Sequence, residues 1–182
     1  PLDKPFILCP NHASYLDGFV AAASVGIRQE LNLFFLGYSV YFQHPLVRWA
    51  VKIARLIAVD PAVNLTEAMQ ASSYVLRNNK SLCVFPEGER SIDDQVKPFK
   101  KGAGILIKET SALVVPCYIQ GSHHSWPRGK TFPRLSPIKI IFGKPYTREE
   151  LKEAGAKKTE GDEYEAIAVG LREKVMELNA LT

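Results

Sequence analysis

The sequence predicts an α/β domain of the layered type, in which a mostly parallel central sheet is flanked by helices. Short apolar runs alternate along the 182 residues with segments that carry helix start signals. The apolar runs are nearly continuous, as is typical of strands that are covered on both faces. The length favours a single domain with a full core.

Six apolar runs are the predicted strands: residues 6–9, 33–36, 57–59, 82–85, 113–119 and 138–142. Each is short and apolar, which favours a buried strand. The first strand would deliver His12 just beyond its end. The fourth would end at the loop formed by Pro86, Glu87 and Gly88.

The predicted helices begin at residues that can cap or start a helix. Ser14 would cap a helix that runs to about Ser24, with Asp17 in its first turn. Pro45 suits the first position of a helix over about 45–57. The other helices are predicted over 64–77, over 103–109, after a cap at Thr147 and after a cap at Asp162, with a polar connector at 154–161.

The charge balance suits an anionic partner. The net charge is +4 and the pI is near 9.0, which fits membrane phosphate, an acidic substrate or nucleic acid. No RNA-binding motif accompanies the aromatic residues, so nucleic acid is not expected as a partner. Cys9, Cys83 and Cys117 lie apart in apolar runs and are expected to be buried in a reducing compartment, without a disulfide or a metal.

The predicted helix at 45–57 is a candidate for contact with a membrane surface. One face would carry Leu46, Trp49 and Ile53, and another would carry Arg48, Lys52 and Arg55. This pattern is typical of a helix that lies in the interface of an anionic bilayer. The alternative is an ordinary surface helix whose basic side chains extend towards water. The uncharged stretch at 31–47 is too short and too polar for a membrane span.

His12 and Asp17, five residues apart, are the candidate catalytic pair. On a continuous helix this spacing is a rotation of about 500°, so the side chains converge only if His12 precedes the helix. Asp17 could then accept a hydrogen bond from one imidazole nitrogen, and the other nitrogen could take a proton from a substrate hydroxyl. The alternative is a capping acid beside an ordinary loop histidine.

The segment at 85–91, Phe-Pro-Glu-Gly-Glu-Arg-Ser, is a candidate anion site. Gly88 permits a turn in which backbone N–H groups converge, and Arg90 can bind a phosphate through two hydrogen bonds. Glu87 would hold that arginine or accept a hydrogen bond from a substrate hydroxyl. The alternative is a solvated charged turn. Further positive charge follows at Lys97, Lys100 and Lys101.

Together the two segments resemble the first and third signature blocks of the glycerolipid acyltransferases, the family that acylates lysophosphatidic acid and its relatives. The fourth block is similar to residues 114–119, Val-Val-Pro-Cys-Tyr-Ile. The similarity extends to residues 99–102 and 142–145, so it spans roughly residues 5–146. The resemblance implies the fold of a glycerol-3-phosphate acyltransferase.

The resemblance also implies one acyltransferase domain over residues 1–182, with a helical C-terminal region at about 147–182. Because the chain opens with Pro1 and has no initiating Met, we expect it to be a piece of a longer protein. His12 would be the general base and Asp17 its partner. The implied substrate-binding residues are Glu87, Gly88, Arg90, Lys100, Lys101 and Pro116.

The second block of the family departs from its usual pattern here. Its best match is residues 55–61, in which Arg55 stands at the usual glycine and Pro61 at the usual arginine. That arginine normally helps to hold the glycerol phosphate. A lysophospholipid with a larger head group therefore remains open as the acceptor, as does a substitute role for Arg55.

The expected function is transfer of a fatty acyl group from acyl-CoA or acyl-acyl carrier protein to the free hydroxyl of a lysophospholipid, with no metal and no bound cofactor. The expected partners are these substrates and an anionic membrane surface, with acyl carrier protein as a further candidate. The domain would then be membrane-associated at the cytoplasmic face. The alternative is a non-catalytic domain that binds anions or membranes. A lipase or thioesterase would need a Gly-x-Ser-x-Gly elbow, which does not occur here.

Overall fold

The computed structural model describes residues 4–26, 31–38, 55–59 and 65–181. Its strands are β1 (Phe6–Pro10), β2 (Leu33–Tyr38), β3 (Leu56–Val59), β4 (Ser81–Val84), β5 (Leu113–Gln120) and β6 (Lys139–Phe142). They form one sheet in the order β3-β2-β4-β1-β5-β6. All neighbouring pairs are parallel except β5 and β6, which are antiparallel. The predicted mostly parallel sheet is confirmed.

The helices of the described residues are α1 (Asp17–Ser24), α2 (Leu65–Arg77), α3 (Lys101–Thr110), α4 (Ser122–Ser125), α5 (Arg148–Ala156) and α6 (Glu163–Asn179). The predicted caps at Thr147 and Asp162 are confirmed, because each side chain accepts the backbone N–H three residues later. Some predicted boundaries were wrong. Helix α5 continues to Ala156, inside the predicted connector, and α1 begins at Asp17, with Leu16 and not Ser14 at its cap position.

The predicted helix at 45–57 is wrong at its end. Residues 45–54 lie outside the described residues, and so does Pro61. Arg55 occupies a turn with a φ of 50°, and β3 begins at Leu56. A left-handed residue followed by an extended strand cannot continue a right-handed helix.

The core lies on both faces of the sheet, and β1 shows how. Ile7 and Cys9 pack in one cluster with Leu106 of α3 and Ile167 of α6. Phe6, Leu8 and other buried side chains form the opposite cluster, which includes Ala21, Leu33, Cys83, Val115 and Cys117. Successive side chains of a strand point to opposite faces, so a strand covered on both faces must be apolar throughout. The three cysteines are free, and the prediction that they are buried is confirmed.

The C-terminal helices join this core. Leu151 of α5 and Leu171 of α6 are fully buried in the same cluster as β1 and α3. The helix contacts are close enough to require glycine: a Cβ on Gly104 would stand 1.9 Å from the carbonyl oxygen of Tyr164, and one on Gly155 would stand 1.8 Å from that of Ala166. Helices that approach this closely leave no space for even a methyl group.

The strand order indicates that a ligand site lies at the edge of the sheet formed by the carboxyl ends of the parallel strands. Strands β2, β3 and β4 lie on one side of β1, and β5 and β6 lie on the other. The connection from β4 to β5 therefore crosses β1, and ligands of open α/β sheets bind beyond the carboxyl ends of the strands at such a switch point. His12 follows β1 and Glu87 follows β4 at this edge. Within the described residues, no helix has both the length and the apolar character needed to cross a bilayer.

Candidate active site

The His12 and Asp17 side chains meet at the carboxyl end of β1. His12 Nδ1 lies 2.8 Å from Asp17 Oδ2. The Asp17 side chain is fully buried, whereas the His12 side chain is 20% exposed. A carboxylate on Nδ1 places the ring proton on that nitrogen, which leaves Nε2 to accept a proton from a substrate. The predicted convergence is confirmed, because His12 precedes α1 and Asp17 is its first residue.

Asp17 also organises the loop between β1 and α1. Its Oδ2 accepts the backbone N–H groups of Ala13 and Ser14, each at 2.7 Å. These bonds fix the backbone that precedes α1, so Asp17 both holds the loop and orients the histidine. A structural and a catalytic role of this acid are therefore compatible. The Ser14 hydroxyl donates to the carbonyl of Trp126 at 2.9 Å.

Two further side chains hold the His12 segment in place. Asn11 is buried, and its side chain donates to the carbonyl of Ile119 at 3.1 Å and accepts the N–H of the same residue at 2.7 Å. Phe85 stacks on the imidazole with ring centroids 4.0 Å apart and an angle of 23° between the planes. The histidine is therefore fixed through its backbone and through one face of its ring, which pre-positions it for proton transfer.

Glu87 is a buried brace for the same segment. Its side chain has an exposure of 1%, its Oε1 accepts the N–H of His12 at 2.7 Å, and its Oε2 accepts the N–H of Lys97 at 2.9 Å. Both of its oxygens bind backbone groups, and a contact between Glu87 and the acceptor stays a prediction. Burial raises the pKa of Glu87 to about 7, although the hydrogen bonds from Lys97 and His12 oppose the shift.

Arg90 lies where a substrate anion could reach it. Its guanidinium carbon stands 3.7 Å above the ring centroid of Tyr15, and the residue is half-buried. Tyr15 in turn packs against Trp126, with ring centroids 5.2 Å apart. The next residue, Ser91, donates its N–H to the carbonyl of His12 at 2.7 Å. The arginine is therefore tied to the histidine segment from both sides, and its flat face is held by a cation–π contact.

Gly88 forms the turn that the sequence predicts. Its φ is 75°, and its N–H donates to the carbonyl of Phe85 at 3.0 Å. A Cβ here would stand 3.3 Å from Cγ of Lys100, so the exposed lysine passes over the glycine. Gly88, Arg90 and Lys100 therefore remain candidates for binding a phosphate beside His12.

The acyltransferase family model matches residues 1–120, which include both loops of this site. The chain belongs to that family. Family membership agrees with the resemblance of the signature blocks.

Curated relatives of this acyltransferase share modest identity with it. The 1-acyl-sn-glycerol-3-phosphate acyltransferase of Limnanthes douglasii is 28% identical over 155 residues, which cover 81% of this chain and 52% of that protein. A chloroplastic 1-acyl-sn-glycerol-3-phosphate acyltransferase of Arabidopsis thaliana is 27% identical over 147 residues, which cover 79% of this chain and 40% of that protein. The acyltransferase chain thus spans about half the length of the curated relatives it matches.

A solved structure has the same fold over almost the whole chain. It is PlsC, the 1-acyl-sn-glycerophosphate acyltransferase of Thermotoga maritima, with a TM-score of 0.71 and 25% identity. The match covers 99% of this chain and 68% of that one. The predicted layered acyltransferase fold is confirmed, including helices α5 and α6.

Two implied substrate-binding residues of the chain make structural contacts of their own. Pro116 is buried within β5, in register with Cys9, and its carbonyl accepts the N–H of Gly143 at 2.8 Å. The Lys101 ammonium pairs with Asp162 at the start of α6. Pro116 therefore packs inside the sheet, with its ring against Gly143, and the half-exposed pair of Lys101 and Asp162 joins α3 to α6. A contact of either residue with substrate stays a prediction.

Several residues of the site have roles that the sequence did not predict. Asn11, Tyr15 and Phe85 are adjacent to the two motifs, but their partners lie far away in the chain. Asn11 reaches Ile119 across 108 positions, and Phe85 stacks on His12. Their proximity to both motifs was the only available signal, because contacts of this kind depend on the strand order of the finished sheet.

Proposed function

We propose that this acyltransferase domain transfers a fatty acyl group from a thioester to the free hydroxyl of a lysophospholipid, with His12 as general base. The observation that carries the proposal is the 2.8 Å contact between His12 Nδ1 and Asp17 Oδ2. It supports a base on a side chain that is 20% exposed, with its second nitrogen, Nε2, left to receive a proton.

The step balances without an enzyme nucleophile. As the acceptor oxygen attacks the thioester carbonyl carbon, its proton passes to His12 Nε2. The carbon–sulfur bond of the tetrahedral intermediate then breaks, and the departing sulfur takes the proton from the imidazolium. Asp17 stabilises the imidazolium in between, as the acid of a Ser-His-Asp triad does. The chemistry requires neither a metal nor a bound cofactor.

We propose that Arg90 binds the phosphate of the acceptor. Its guanidinium lies on Tyr15, three residues from the histidine, and its planar donors match a phosphate. Lys100, which passes over the exposed turn at Gly88, adds positive charge nearby. Lysophosphatidate is the simplest acceptor that these groups suit, since its phosphate is adjacent to a glycerol hydroxyl.

The donor is proposed to be acyl-CoA or acyl-acyl carrier protein, both of which present a fatty acyl thioester. The acceptor is an amphiphile, so the enzyme would work at the cytoplasmic face of a membrane. The surplus of positive charge is consistent with that location.

The test is thiol release from acyl-CoA in the presence of lysophosphatidate, with water-only and acceptor-free reactions as blanks. His12→Ala should keep less than a few per cent of the parent's acceptor-dependent turnover and should fold normally. His124→Ala is the matched control, because that histidine is exposed in α4. Acceptor-dependent turnover that survives in His12→Ala would reject the base. A parent without any such turnover would instead favour a non-catalytic binding domain.

A further inference from the structure

The segment Trp126–Pro137, here termed the basic loop, carries the most exposed large apolar side chains of the described residues. Phe132 has an exposure of 79% and Leu135 of 108%. Residues 128–135 are all exposed without interruption. Folded domains seldom leave such side chains in water without a use, and an apolar group rimmed by charge indicates an interaction surface.

The charged side chains of the basic loop are all positive. The sequence contains no Asp or Glu between Glu109 and Glu149, so the basic loop brings only cations, at Arg128, Lys130 and Arg134. Arg128 pairs with Glu89 at 3.2 Å. Among the residues that the structure describes, no ion pair involves Lys130 or Arg134. A protruding loop with apolar tips and cations between them is complementary to anionic lipid head groups above acyl chains.

The basic loop is joined directly to the catalytic segment. The carbonyl of Trp126 accepts the N–H of Tyr15 at 3.1 Å and the hydroxyl of Ser14 at 2.9 Å. Arg128 contacts Glu89, which is next to Arg90 in the chain. The start of the basic loop is therefore fixed to the segment that follows His12 and to the loop that carries Arg90.

The loop is also preorganised. The indole N–H of Trp126 donates to the carbonyl of Lys130 at 2.8 Å, and the N–H of Arg134 donates to the carbonyl of Ser125 at 2.7 Å. Gly121, with a φ of 81°, admits the carbonyl of Pro137 at a distance that no Cβ would allow. These bonds close the base of the loop. The tip is therefore presented without a large ordering cost on binding.

We propose that the basic loop docks the domain onto an anionic bilayer by inserting Phe132 and Leu135 at the level of the head groups, while Lys130 and Arg134 contact lipid phosphate. This proposal deepens the proposed function, because a lysophospholipid acceptor would lie in the same leaflet. Projecting single side chains enter a lipid interface readily, whereas a protein partner would have to supply a groove for each of them.

The test is co-sedimentation of the purified chain with vesicles of phosphatidylcholine alone or mixed with phosphatidylglycerol, without any thioester. The parent should bind the anionic vesicles and lose much of that binding in high salt. Phe132→Ser with Leu135→Ser should weaken binding at least about tenfold, since both apolar anchors are lost. Lys130→Gln with Arg134→Gln should weaken binding to anionic vesicles by about fivefold per cation.

The matched controls place the same changes elsewhere. Tyr74→Ser on α2 and Leu181→Ser beyond α6 remove exposed apolar side chains away from the basic loop, and both should bind as the parent does. A second measurement uses Phe132→Trp, whose fluorescence should shift to the blue on anionic vesicles and be quenched by brominated lipid.

The proposal would be overturned if the parent did not bind anionic vesicles, or if the double variant of Phe132 and Leu135 bound them as the parent does. It would also be overturned if the loop bound acyl carrier protein but no lipid. The His12→Ala variant separates catalysis from membrane docking, because it should bind vesicles normally although it lacks turnover. If the acyltransferase hypothesis were rejected, the docking result would still be valid. If docking were rejected, the acyltransferase hypothesis would likewise be unaffected.

Discussion

The loop after β1 and the loop after β4 lie side by side at one edge of the sheet, and each contains a buried carboxylate. In the first loop, one oxygen of Asp17 accepts from the His12 ring and from two backbone N–H groups. In the second, the two oxygens of Glu87 each accept one backbone N–H, and the pKa of Glu87 rises to about 7 because of burial.

The difference between the two carboxylates separates a role in positioning from a role in proton transfer. Asp17 contacts the ring that would take the proton, so its charge can stabilise the imidazolium. Glu87 accepts from the backbone of His12 and of Lys97 and does not contact the ring in these bonds, so we expect its effect on the reaction to pass through geometry. A buried acid in a signature motif is therefore not by itself a group that touches substrate.

The largest expected effect is that of Asp17→Asn. Losing the charge beside the imidazole should lower turnover by about a thousandfold to ten-thousandfold, as loss of a triad acid does. Steady-state thiol release measures this change. Asp162→Asn is the control, because that residue caps α6 and asparagine also caps helices. An Asp17→Asn enzyme with a tenth of normal turnover would remove the contrast between the two carboxylates.

Arg90 tests the substrate side of the second loop. Arg90→Ala should raise the KM for lysophosphatidate by about 30- to 150-fold, which corresponds to the loss of about 2–3 kcal/mol from a charge-assisted contact. The KM for acyl-CoA should change little. Arg77→Ala on the exposed side of α2 is the control. Equal changes for both substrates would argue against a phosphate contact.

Glu87→Gln should produce a smaller loss that has a different character. The amide can accept one of the two N–H groups but turns a donor towards the other, so we expect about tenfold lower turnover and about 1–3 kcal/mol lower free energy of unfolding. Urea unfolding and kinetics measure the two effects. Glu89→Gln is the control, since that exposed side chain makes only a surface ion pair. A selective rise in the acceptor's KM at unchanged stability would restore Glu87 as an acceptor contact.

The smallest expected effect is a dependence of stability on pH. Because the folded-state pKa of Glu87 lies above the ordinary value of 4.5, the folded protein holds this proton more tightly than the unfolded chain. Its contribution to the free energy of unfolding should therefore fall by about 1 kcal/mol from about pH 6 to about pH 8. Urea unfolding of the parent, Glu87→Gln and Glu89→Gln across this range measures the contribution. It is contradicted if the parent and Glu87→Gln show the same slope.

The sequence was sufficient for the parts of the fold that depend on local pattern. The buried strand before His12, the caps at Thr147 and Asp162, and the convergence of His12 with Asp17 were all predicted. The convergence was predictable as one of two possibilities, because a histidine that precedes a helix can reach an acid in its first turn, whereas a capping acid beside a loop histidine remained open. The boundary at Ser14 was less accurate because a cap signal does not specify how soon the helical turns begin, and the boundary at Ala156 because polar composition does not specify where they end.

The roles of Glu87 and Pro116 could not be predicted from the pattern. Glu87 accepts from an N–H that lies 75 positions away, so its burial depends on β4 lying beside β1 in the sheet. Pro116 was assigned from its position in the fourth block, yet it packs against Gly143 within the sheet. A motif fixes which residue types are present, whereas the strand order decides which of them face the substrate.

The glycine contacts of α3, α5 and α6 have a consequence for where this protein can be cut. The signature blocks end near residue 146 and the family match ends at residue 120, but Leu151, Ile167 and Leu171 complete the cluster that buries Ile7. A chain shortened to the signature blocks would expose that cluster to water and should aggregate. The smallest foldable unit is therefore longer than the segment that carries the chemistry, and exchange of substrate loops between relatives should leave the last two helices with their own core.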